Sequence, residues 1–180
     1  IMFSVENTAL VLIDIQGKLA TLMHDRETLY KSLEIVVKGM NILEVPVIWM
    51  EQVPRSLGPT IEEVSAHLGN MTPIAKNTFS CCDNDQFMDA LHRTDRSQIL
   101  LVGIETHICV YQTAASLIRK GYQVKAIEEC VSSRTSRNKQ IGLDAIKGVG
   151  GMVTSCEMIL FELMKSTDAK GFKEIVKLIK

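Results

Sequence analysis

Short apolar runs alternate along this chain with longer segments in which apolar side chains recur every three or four residues. The first run, residues 8–13, is continuous, contains β-branched side chains and ends at Asp14. A run of this length and character predicts a strand buried on both faces, as in a parallel sheet. The same reasoning predicts six strands, at residues 8–13, 45–50, 73–76, 98–103, 123–127 and 151–154.

The longer segments have helical periodicity, which is clearest in residues 28–43. Strands that alternate with helices predict a parallel sheet covered on both faces. We therefore expect residues 1–180 to form a single α/β domain with three layers, α/β/α, around a mainly parallel sheet of roughly six strands. The predicted helices are residues 28–43, 84–92, 108–120, 138–147, 155–164 and 170–179.

Composition and charge limit the classes of molecule that the chain is expected to bind. The chain is 46% hydrophobic and 23% charged, and its formal net charge is −1. This balance gives no electrostatic footprint for nucleic acid or an anionic membrane surface. No apolar run approaches the roughly 20 residues that span a bilayer, and no signal-peptide pattern opens the chain. We expect a cytoplasmic protein with five reduced cysteines and a small-molecule substrate, binding neither nucleic acid nor membrane.

Polar residues follow the predicted strands where each strand ends. They are Asp14 and Gln16 after the first strand, Gln52 after the second, Lys76 near another, and the segment 103–109. Ligands of open α/β sheets bind outside the carboxyl ends of the strands. An acid, a base and a thiol are therefore expected to converge on one edge of the sheet.

Cys109 is the candidate nucleophile, because it is predicted within the first two residues of a helix. The thiolate is the reactive form, and a thiol with a pKa of about 8.5 is mostly protonated at neutral pH. A helix N-terminus favours the anion and offers N–H groups to the oxyanion of a tetrahedral intermediate. The alternative is a buried, inert thiol, which is about equally common for a free cysteine.

Asp14 and Lys76 are the candidate partners of this thiol. A carboxylate at the end of an apolar strand is costly unless it is paired, and Asp14 could take the thiol proton as a general base. A lysine beside both groups would stabilise the thiolate and keep Asp14 ionised. The alternatives are a surface or helix-capping carboxylate and a plain surface lysine.

Taken together, the motifs resemble those of the isochorismatase-like hydrolases, a cysteine-hydrolase superfamily. Residues 12–16 (LIDIQ) resemble the first-strand motif, 76–80 (KNTFS) the lysine motif and 102–110 (VGIETHICV) the cysteine motif. Residues 130–134 and 154–163 resemble later family segments, so the resemblance covers residues 8 to about 163. It is strongest to the isochorismatase-domain-containing branch. The implied fold is isochorismatase-like, a Rossmann-like α/β architecture.

The resemblance implies a role for each motif residue. Asp14 would be the general base, Lys76 the electrostatic partner and Cys109 the nucleophile. The family carries a non-proline cis peptide shortly before its cysteine, which by position is the Ile104–Glu105 bond. That bond would aim a backbone N–H into an oxyanion hole that the N–H of Cys109 completes.

The chain also departs from relatives within this superfamily. Nicotinamidases bind a metal through an Asp and histidines shortly after the first catalytic Asp, whereas residues 16–20 contain no histidine. We therefore expect no metal and no cofactor, which argues against nicotinamidase activity. Isochorismatases proper often lack the cysteine, so Cys109 argues against cleavage of a vinyl ether.

The expected activity is hydrolysis of a small amide or related carbonyl compound through a thioester on Cys109. Candidate pocket residues are Gln16, Trp49, Gln52 and Phe79, although Trp49 and Phe79 could equally be core. Family members are usually dimers or larger, so a homo-oligomer is expected. The alternative is an interaction protein that keeps the fold with an idle site.

Overall fold

The computed structural model describes all residues 1–180 and contains a six-stranded sheet. Every strand pair is parallel, and the order across the sheet is β3-β2-β1-β4-β5-β6. The chain thus starts in the middle, winds to one edge, returns to the middle and winds to the other. The strands are β1 (Thr8–Ile13), β2 (Val47–Gln52), β3 (Ile74–Lys76), β4 (Gln98–Ile104), β5 (Gln123–Ser132) and β6 (Met152–Thr154).

Helices cover both faces of this sheet, which confirms the predicted three-layer α/β/α fold. No helix is both long enough and apolar enough to cross a membrane. The helices are α1 (Gly17–Thr21), α2 (Arg26–Ile42), α3 (Pro54–Leu57), α4 (Glu62–Ser65), α5 (Asp85–Thr94), α6 (Tyr111–Arg119), α7 (Ser136–Gly148), α8 (Cys156–Met164) and α9 (Phe172–Ile179).

The core consists of two apolar clusters, one on each face of the sheet. Alternate residues of a strand point to opposite faces, so Leu10 and Leu12 of β1 pack with α2, α8 and α9. Val11 and Ile13 pack on the other face with α5, α6 and α7. All six residues of β1 are buried, as its continuous apolar run predicts.

Helix starts follow from local sequence. The side chains of Asn84, Thr135 and Ser155 each accept a hydrogen bond from a backbone N–H in the first turn of α5, α7 and α8. Such caps satisfy N–H groups that the helix leaves without partners. They fix these three helix starts within two residues of the predicted positions.

Strand β5 is longer than the pattern predicts, and the expectation that it ends at residue 127 is wrong. It continues to Ser132 through Glu128 and Glu129, where the pairing with β4 shifts register between Leu101 and Gly103. A bulge of this kind inserts unpaired residues and interrupts the apolar pattern. The extension brings residues 132–134 to the carboxyl edge of the sheet.

The segment 52–59, which no predicted strand or helix includes, contains the single-turn helix α3. Pro54 occupies the first position of that turn, where its missing N–H costs nothing. A turn of four residues is too short to produce a periodicity, which is also why α1 and α4 were not predicted. The three short helices all lie between β1 and β3, around the carboxyl edge.

Candidate active site

Asp14 follows the last residue of β1 and is 2% exposed. Its backbone is left-handed, with φ of +54°, a conformation that Asp tolerates better than most residues. This turn takes the chain out of the sheet and leaves the carboxyl group inside. The Oδ2 atom accepts a hydrogen bond from Lys76, whereas Oδ1 is buried and has no hydrogen-bond partner.

Lys76 ends the edge strand β3, and its side chain is fully buried. Its Nζ donates to Asp14 Oδ2 at 2.8 Å and to Gln52 Oε1 at 2.5 Å. It also donates to the carbonyl oxygens of Thr78 at 3.0 Å and Phe79 at 3.2 Å. The three protons of the ammonium are therefore shared among four acceptors, which fix its position.

Cys109 lies just after β4, in a π-helical turn formed by Thr106–Val110. The carbonyl oxygen of Glu105 accepts from the N–H of Ile108 and, one residue beyond the α-helical spacing, from that of Val110. Turns of this kind are rare and occur frequently at functional sites. The Ile104–Glu105 peptide bond that precedes the turn is cis. The helix was predicted to begin at Ile108, and its regular part begins three residues later.

Two glycines allow the close packing around this turn. Gly103 has φ of +123°, and a Cβ there would lie 2.0 Å from the carbonyl oxygen of Ile13. Gly142 of α7 faces the turn, where a Cβ would lie 2.7 Å from the N of His107. The first glycine lets β4 approach β1 beside Asp14, and the second lets α7 press on the turn that carries Cys109.

The charges of the three side chains are coupled. Burial raises the pKa of Asp14, and Lys76 opposes that rise. Burial lowers the pKa of Lys76, but Asp14 and the neighbouring Cys81 and Cys109 thiols outweigh it, so the net pKa is raised. Burial and Asp14 raise the pKa of Cys109 to about 12, with Lys76 acting in the opposite direction.

These shifts correct the expectation that the helix start and Lys76 would favour a thiolate. At neutral pH the Cys109 thiol is protonated and lies beside an ion pair of Asp14 and Lys76. The ion pair leaves Asp14 with one free carboxylate oxygen, because Lys76 binds Oδ2 and no hydrogen-bond donor binds Oδ1. The sequence could not show this, since burial rather than position in the helix dominates the thiol pKa.

Gln16 is fully buried and holds the wall of the site rather than lining an open pocket. Its Nε2 donates to the carbonyl oxygens of Gln52 at 3.1 Å and Gly58 at 2.7 Å, and its Oε1 accepts from the N–H of Gln52 at 2.7 Å. These bonds fix both the end of β2 and the far end of α3. Gln52 is thereby placed to bind Lys76.

Replacing Gln16 by Leu is expected to lower the free energy of unfolding by about 1–3 kcal/mol, because buried backbone groups lose their partners. Urea unfolding followed by circular dichroism measures this change. The matched control is Gln86→Leu on the exposed surface of α5, which we expect to change stability by no more than about 0.5 kcal/mol. Equal effects of the two substitutions would contradict the positioning role of Gln16.

The other two candidate pocket residues lie differently. Trp49 is not brought to Lys76 and Cys109: its ring packs against the cluster of α2, α8 and α9, on the opposite face from Cys109, and its Nε1 donates to Thr60 Oγ1 at 2.8 Å. The sequence does not reveal which face of β2 the ring occupies. Phe79 reaches the site through its carbonyl oxygen, and its side chain is 55% exposed.

Sequence reasoning missed a second set of contacts that frame the site. Glu105 is buried, and its Oε1 accepts from the backbone N–H and the Nε of Arg134, at 3.1 and 3.0 Å. His107 Nδ1 lies 2.8 Å from Ser133 Oγ. All three bonds join the cysteine turn to the residues at the end of β5, a connection hidden by the unrecognised extension of that strand.

Of the side chains of Asp14, Lys76 and Cys109, only that of Lys76 borders a cavity of about 430 Å³. The cavity is lined also by Val53, Arg55 and Asn77, whereas Asp14 and Cys109 do not line it. No group of three or more His, Cys, Asp or Glu side chains is arranged to hold a metal ion.

A parallel α/β/α fold with this arrangement at its carboxyl edge defines the class of isochorismatase-like hydrolases. The model of the isochorismatase domain matches residues 8–158. The chain belongs to the isochorismatase family.

Several relatives in this family cover almost the whole chain. Isochorismatase family protein 1B of Dictyostelium discoideum is 33% identical over 97% of this chain and 87% of its own length. The secreted isochorismatase effector Isc1 of Phytophthora sojae is 32% identical over 97% of this chain and 85% of its own length. Because one relative is called secreted, a cytoplasmic location stays a prediction for this chain.

Solved structures share the fold closely. A Caenorhabditis elegans structure described as MAR1 ribonuclease is 30% identical, has a TM-score of 0.93 and matches 99% of this chain and 92% of its own. The YcaC gene product of Escherichia coli, described as an octameric hydrolase of unknown specificity, is 20% identical with a TM-score of 0.93, covering 99% and 90% of the two chains. The fold predicted from the sequence is confirmed.

Proposed function

We propose that this chain is a metal-independent cysteine hydrolase that acts on a small amide or related C–N carbonyl compound. Asp14 is the general base, Lys76 its electrostatic partner and Cys109 the nucleophile. The observation that carries the proposal is the unequal environment of the two Asp14 oxygens, of which one binds Lys76 and the other is buried without a partner. A buried acceptor of this kind, on a carboxylate that interacts with the Cys109 thiol, supports Asp14 as the group that takes the thiol proton.

The first half of the reaction forms a thioester. The Cys109 sulfur attacks the carbonyl carbon while its proton moves to Asp14 Oδ1. The raised pKa of the thiol favours loss of the proton during the attack rather than before it. The C–N bond then breaks, and Asp14 returns the proton to the leaving nitrogen.

The second half hydrolyses the thioester. Asp14 removes a proton from a water molecule that attacks the carbonyl carbon, the C–S bond breaks, and the proton returns to the Cys109 sulfur. Lys76 keeps Asp14 in the carboxylate form at the start of each half. The proposed oxyanion donors are the backbone N–H groups of Cys109 and Glu105, at the first turn after β4, where helical N–H groups lack partners.

The donor set near Asp14 supports a route without a metal. Its nearest charged neighbour is the Lys76 ammonium at 2.8 Å, a cation that already occupies the coordinating oxygen. The site also has no cluster of ligating side chains. Lys76 therefore supplies the positive charge for which other hydrolases use an ion.

We also propose that residues 1–180 act as one domain within a homo-oligomer, dimeric or larger. The exposed residue Phe79, whose carbonyl oxygen accepts a hydrogen bond from Lys76, supports a site that a second copy covers. The E. coli YcaC gene product is described as octameric. Light scattering after size-exclusion chromatography tests this, and a monomer at micromolar concentration would contradict it.

A substrate screen tests the proposed activity. Small amides, ureides and carbamoyl compounds are incubated with the wild type, with Cys109→Ala and with Cys82→Ala as a matched buried-thiol control. Hydrolysis that requires Cys109 and survives Cys82→Ala supports the proposal. RNA belongs in the same screen, because the C. elegans relative is described as a ribonuclease, and degradation of RNA alone would contradict an amide substrate.

Removing the Asp14 charge separates thiol reactivity from turnover. In Asp14→Asn the second cause of the raised Cys109 pKa is gone while Lys76 remains, so the pKa falls. We expect iodoacetamide to label Cys109 about tenfold faster at pH 8, whereas turnover falls by about 10²–10⁴-fold without the base. Peptide-resolved labelling rates and initial rates measure the two effects.

The same measurement discriminates the alternative, a family member that binds a partner with an idle site. An idle site predicts that no compound in the screen turns over, whereas Asp14→Asn still changes the labelling of Cys109, because the thiol pKa depends on the charge of Asp14 and not on turnover. Asparagine is the appropriate substitution, because it tolerates the left-handed backbone at this position. Faster labelling of Cys109 together with loss of the folded circular dichroism signal would identify unfolding instead, because unfolding exposes the buried thiol.

A further inference from the structure

Two cysteines outside the candidate active site have their sulfur atoms in contact. Cys130 lies in β5 and Cys156 is the first residue of α8, and their Sγ atoms are 3.4 Å apart. Both are free thiols, and no other pair of cysteine sulfurs in the chain makes such a contact. The proposed hydrolysis uses neither of them.

We propose that Cys130 and Cys156 form a peroxide-reactive dithiol, which closes to a disulfide in the folded protein and reopens with a thiol reductant. The contact between the sulfurs means that little movement is needed to form the bond. The pair joins the central layer of the fold to a helix of one outer layer, so oxidation would tie α8 to the sheet.

The surroundings of the two thiols assign their order of reaction. Cys156 is 9% exposed and lines a cavity of about 320 Å³, together with Lys31, Ser32 and Glu129. Cys130 has no exposed surface. Hydrogen peroxide can therefore reach Cys156 first, because the Cys130 side chain is shielded from solvent.

Local bonds hold Cys156 in place. Its backbone N–H donates to both carboxylate oxygens of Glu129, at 3.3 and 3.1 Å, and Ser155 caps the helix that it begins. Burial and the contact with Cys156 raise the pKa of the Cys130 thiol. Cys130 is thus a poor first nucleophile, and its sulfur contact at 3.4 Å is what places it to resolve an oxidised Cys156.

The chemistry balances with one molecule of hydrogen peroxide. The Cys156 sulfur attacks one peroxide oxygen, the O–O bond breaks, and a sulfenic acid and one water form. The Cys130 sulfur then attacks the Cys156 sulfur, the S–S bond forms, the S–O bond breaks and a second water leaves. The two sulfurs are oxidised, and both oxygens of the peroxide are reduced.

The test treats the folded protein with hydrogen peroxide, removes the peroxide with catalase, alkylates the free thiols with iodoacetamide in urea at pH 8, and maps disulfides by peptide mass spectrometry. We expect a crosslink between Cys130 and Cys156, loss of two alkylatable thiols and a higher thermal midpoint, all reversed by dithiothreitol. Cys130→Ser and Cys156→Ser remove the crosslink. Cys82→Ser removes a thiol of similar exposure whose sulfur is not in contact with another cysteine sulfur, and it should retain the crosslink.

Three results would overturn the proposal. The first is that Cys130 and Cys156 both stay alkylatable after peroxide has oxidised Cys109. The second is that the crosslink forms only in urea, and the third is that Cys156 is oxidised to the sulfinic acid without forming the crosslink. The crosslink is mapped in the wild type, so the test stands even if a serine variant fails to fold. It is also independent of turnover, and Cys109→Ala is expected to form the same crosslink.

Discussion

Replacing Cys109 by Ala is expected to lower turnover of a true substrate by about 10⁴-fold or more. Without the thiol no thioester can form, so both steps of the covalent route are lost. The loss should be in kcat, since the thiol bonds to the substrate only along the reaction. The side chain is 7% exposed and small, so the fold should lose only about 1 kcal/mol of unfolding free energy. Steady-state kinetics and urea unfolding measure the two effects.

The control for this variant is Cys82→Ala, which removes a thiol of similar burial outside the candidate active site. It should retain turnover within a factor of about 3, as substitutions remote from the chemistry change stability more than rate. Cys109→Ser is a stricter comparison, because its hydroxyl keeps the shape but is a much weaker nucleophile at neutral pH. Turnover by either Cys109 variant at the wild-type rate would contradict the role of the thiol.

Replacing Lys76 by Met is expected to cost about 3–5 kcal/mol of unfolding free energy at pH 7, because it leaves the buried Asp14 carboxylate unpaired. The two side chains are 0% and 3% exposed, so water cannot replace the lost partner. The matched control, Lys173→Met on the exposed face of α9, should change stability by about 0.5 kcal/mol or less. Activity should be lost as well, since Lys76 keeps Asp14 ionised.

The pH dependence of Lys76→Met has a definite sign. Removing the cation raises the Asp14 pKa further above its unfolded value, since burial already raises it and Lys76 opposed the rise. The folded variant then binds more protons than the unfolded chain, so its stability rises as pH falls. The deficit relative to the wild type should therefore shrink as Asp14 becomes protonated.

A double-mutant cycle isolates the pair. Asp14→Asn in the Lys76→Met background removes the unpaired charge and should restore part of the lost stability. If the two single losses simply add, the side chains are not coupled and the interpretation of the ion pair is wrong. Urea unfolding of the four proteins at one pH supplies every value that the cycle needs.

The sequence predicted the sheet well, because its strands are buried on both faces and appear as continuous apolar runs. The sequence also predicted that Asp14, Lys76 and Gln52 lie at one edge of the sheet, because polar residues that follow such runs must lie where the strands end. The structure joins all three through the Lys76 ammonium. Parallel-strand topology therefore carries most of the information about which residues meet.

The features that the sequence did not predict depend on burial and on elements too short to produce a periodicity. The protonated state of Cys109 follows from burial and from Asp14, which no pattern of residues displays. The π-helical turn around it replaces the predicted helix start, because a single inserted residue leaves the apolar periodicity of α6 intact. The face occupied by Trp49 was likewise undetermined, since both faces of β2 are covered by apolar residues.

The relation between Asp14 and Cys109 is the centre of this account. The carboxylate raises the pKa of the resting thiol, and in the proposed mechanism it then accepts the thiol proton during attack. This combination explains how a buried cysteine can remain unreactive toward general electrophiles and still react with a carbonyl compound bound beside Asp14. It also predicts opposite effects of Asp14→Asn on labelling and on turnover.

Rapid-quench mass spectrometry during turnover of a substrate found in the screen tests this account most directly. We predict an adduct on Cys109 with the mass of the acyl part of the substrate, which forms and decays at rates that account for steady-state turnover. Asp14→Asn should accumulate little of it. Turnover without an adduct on Cys109, or an adduct on another residue that accounts for the rate, would contradict the thioester mechanism.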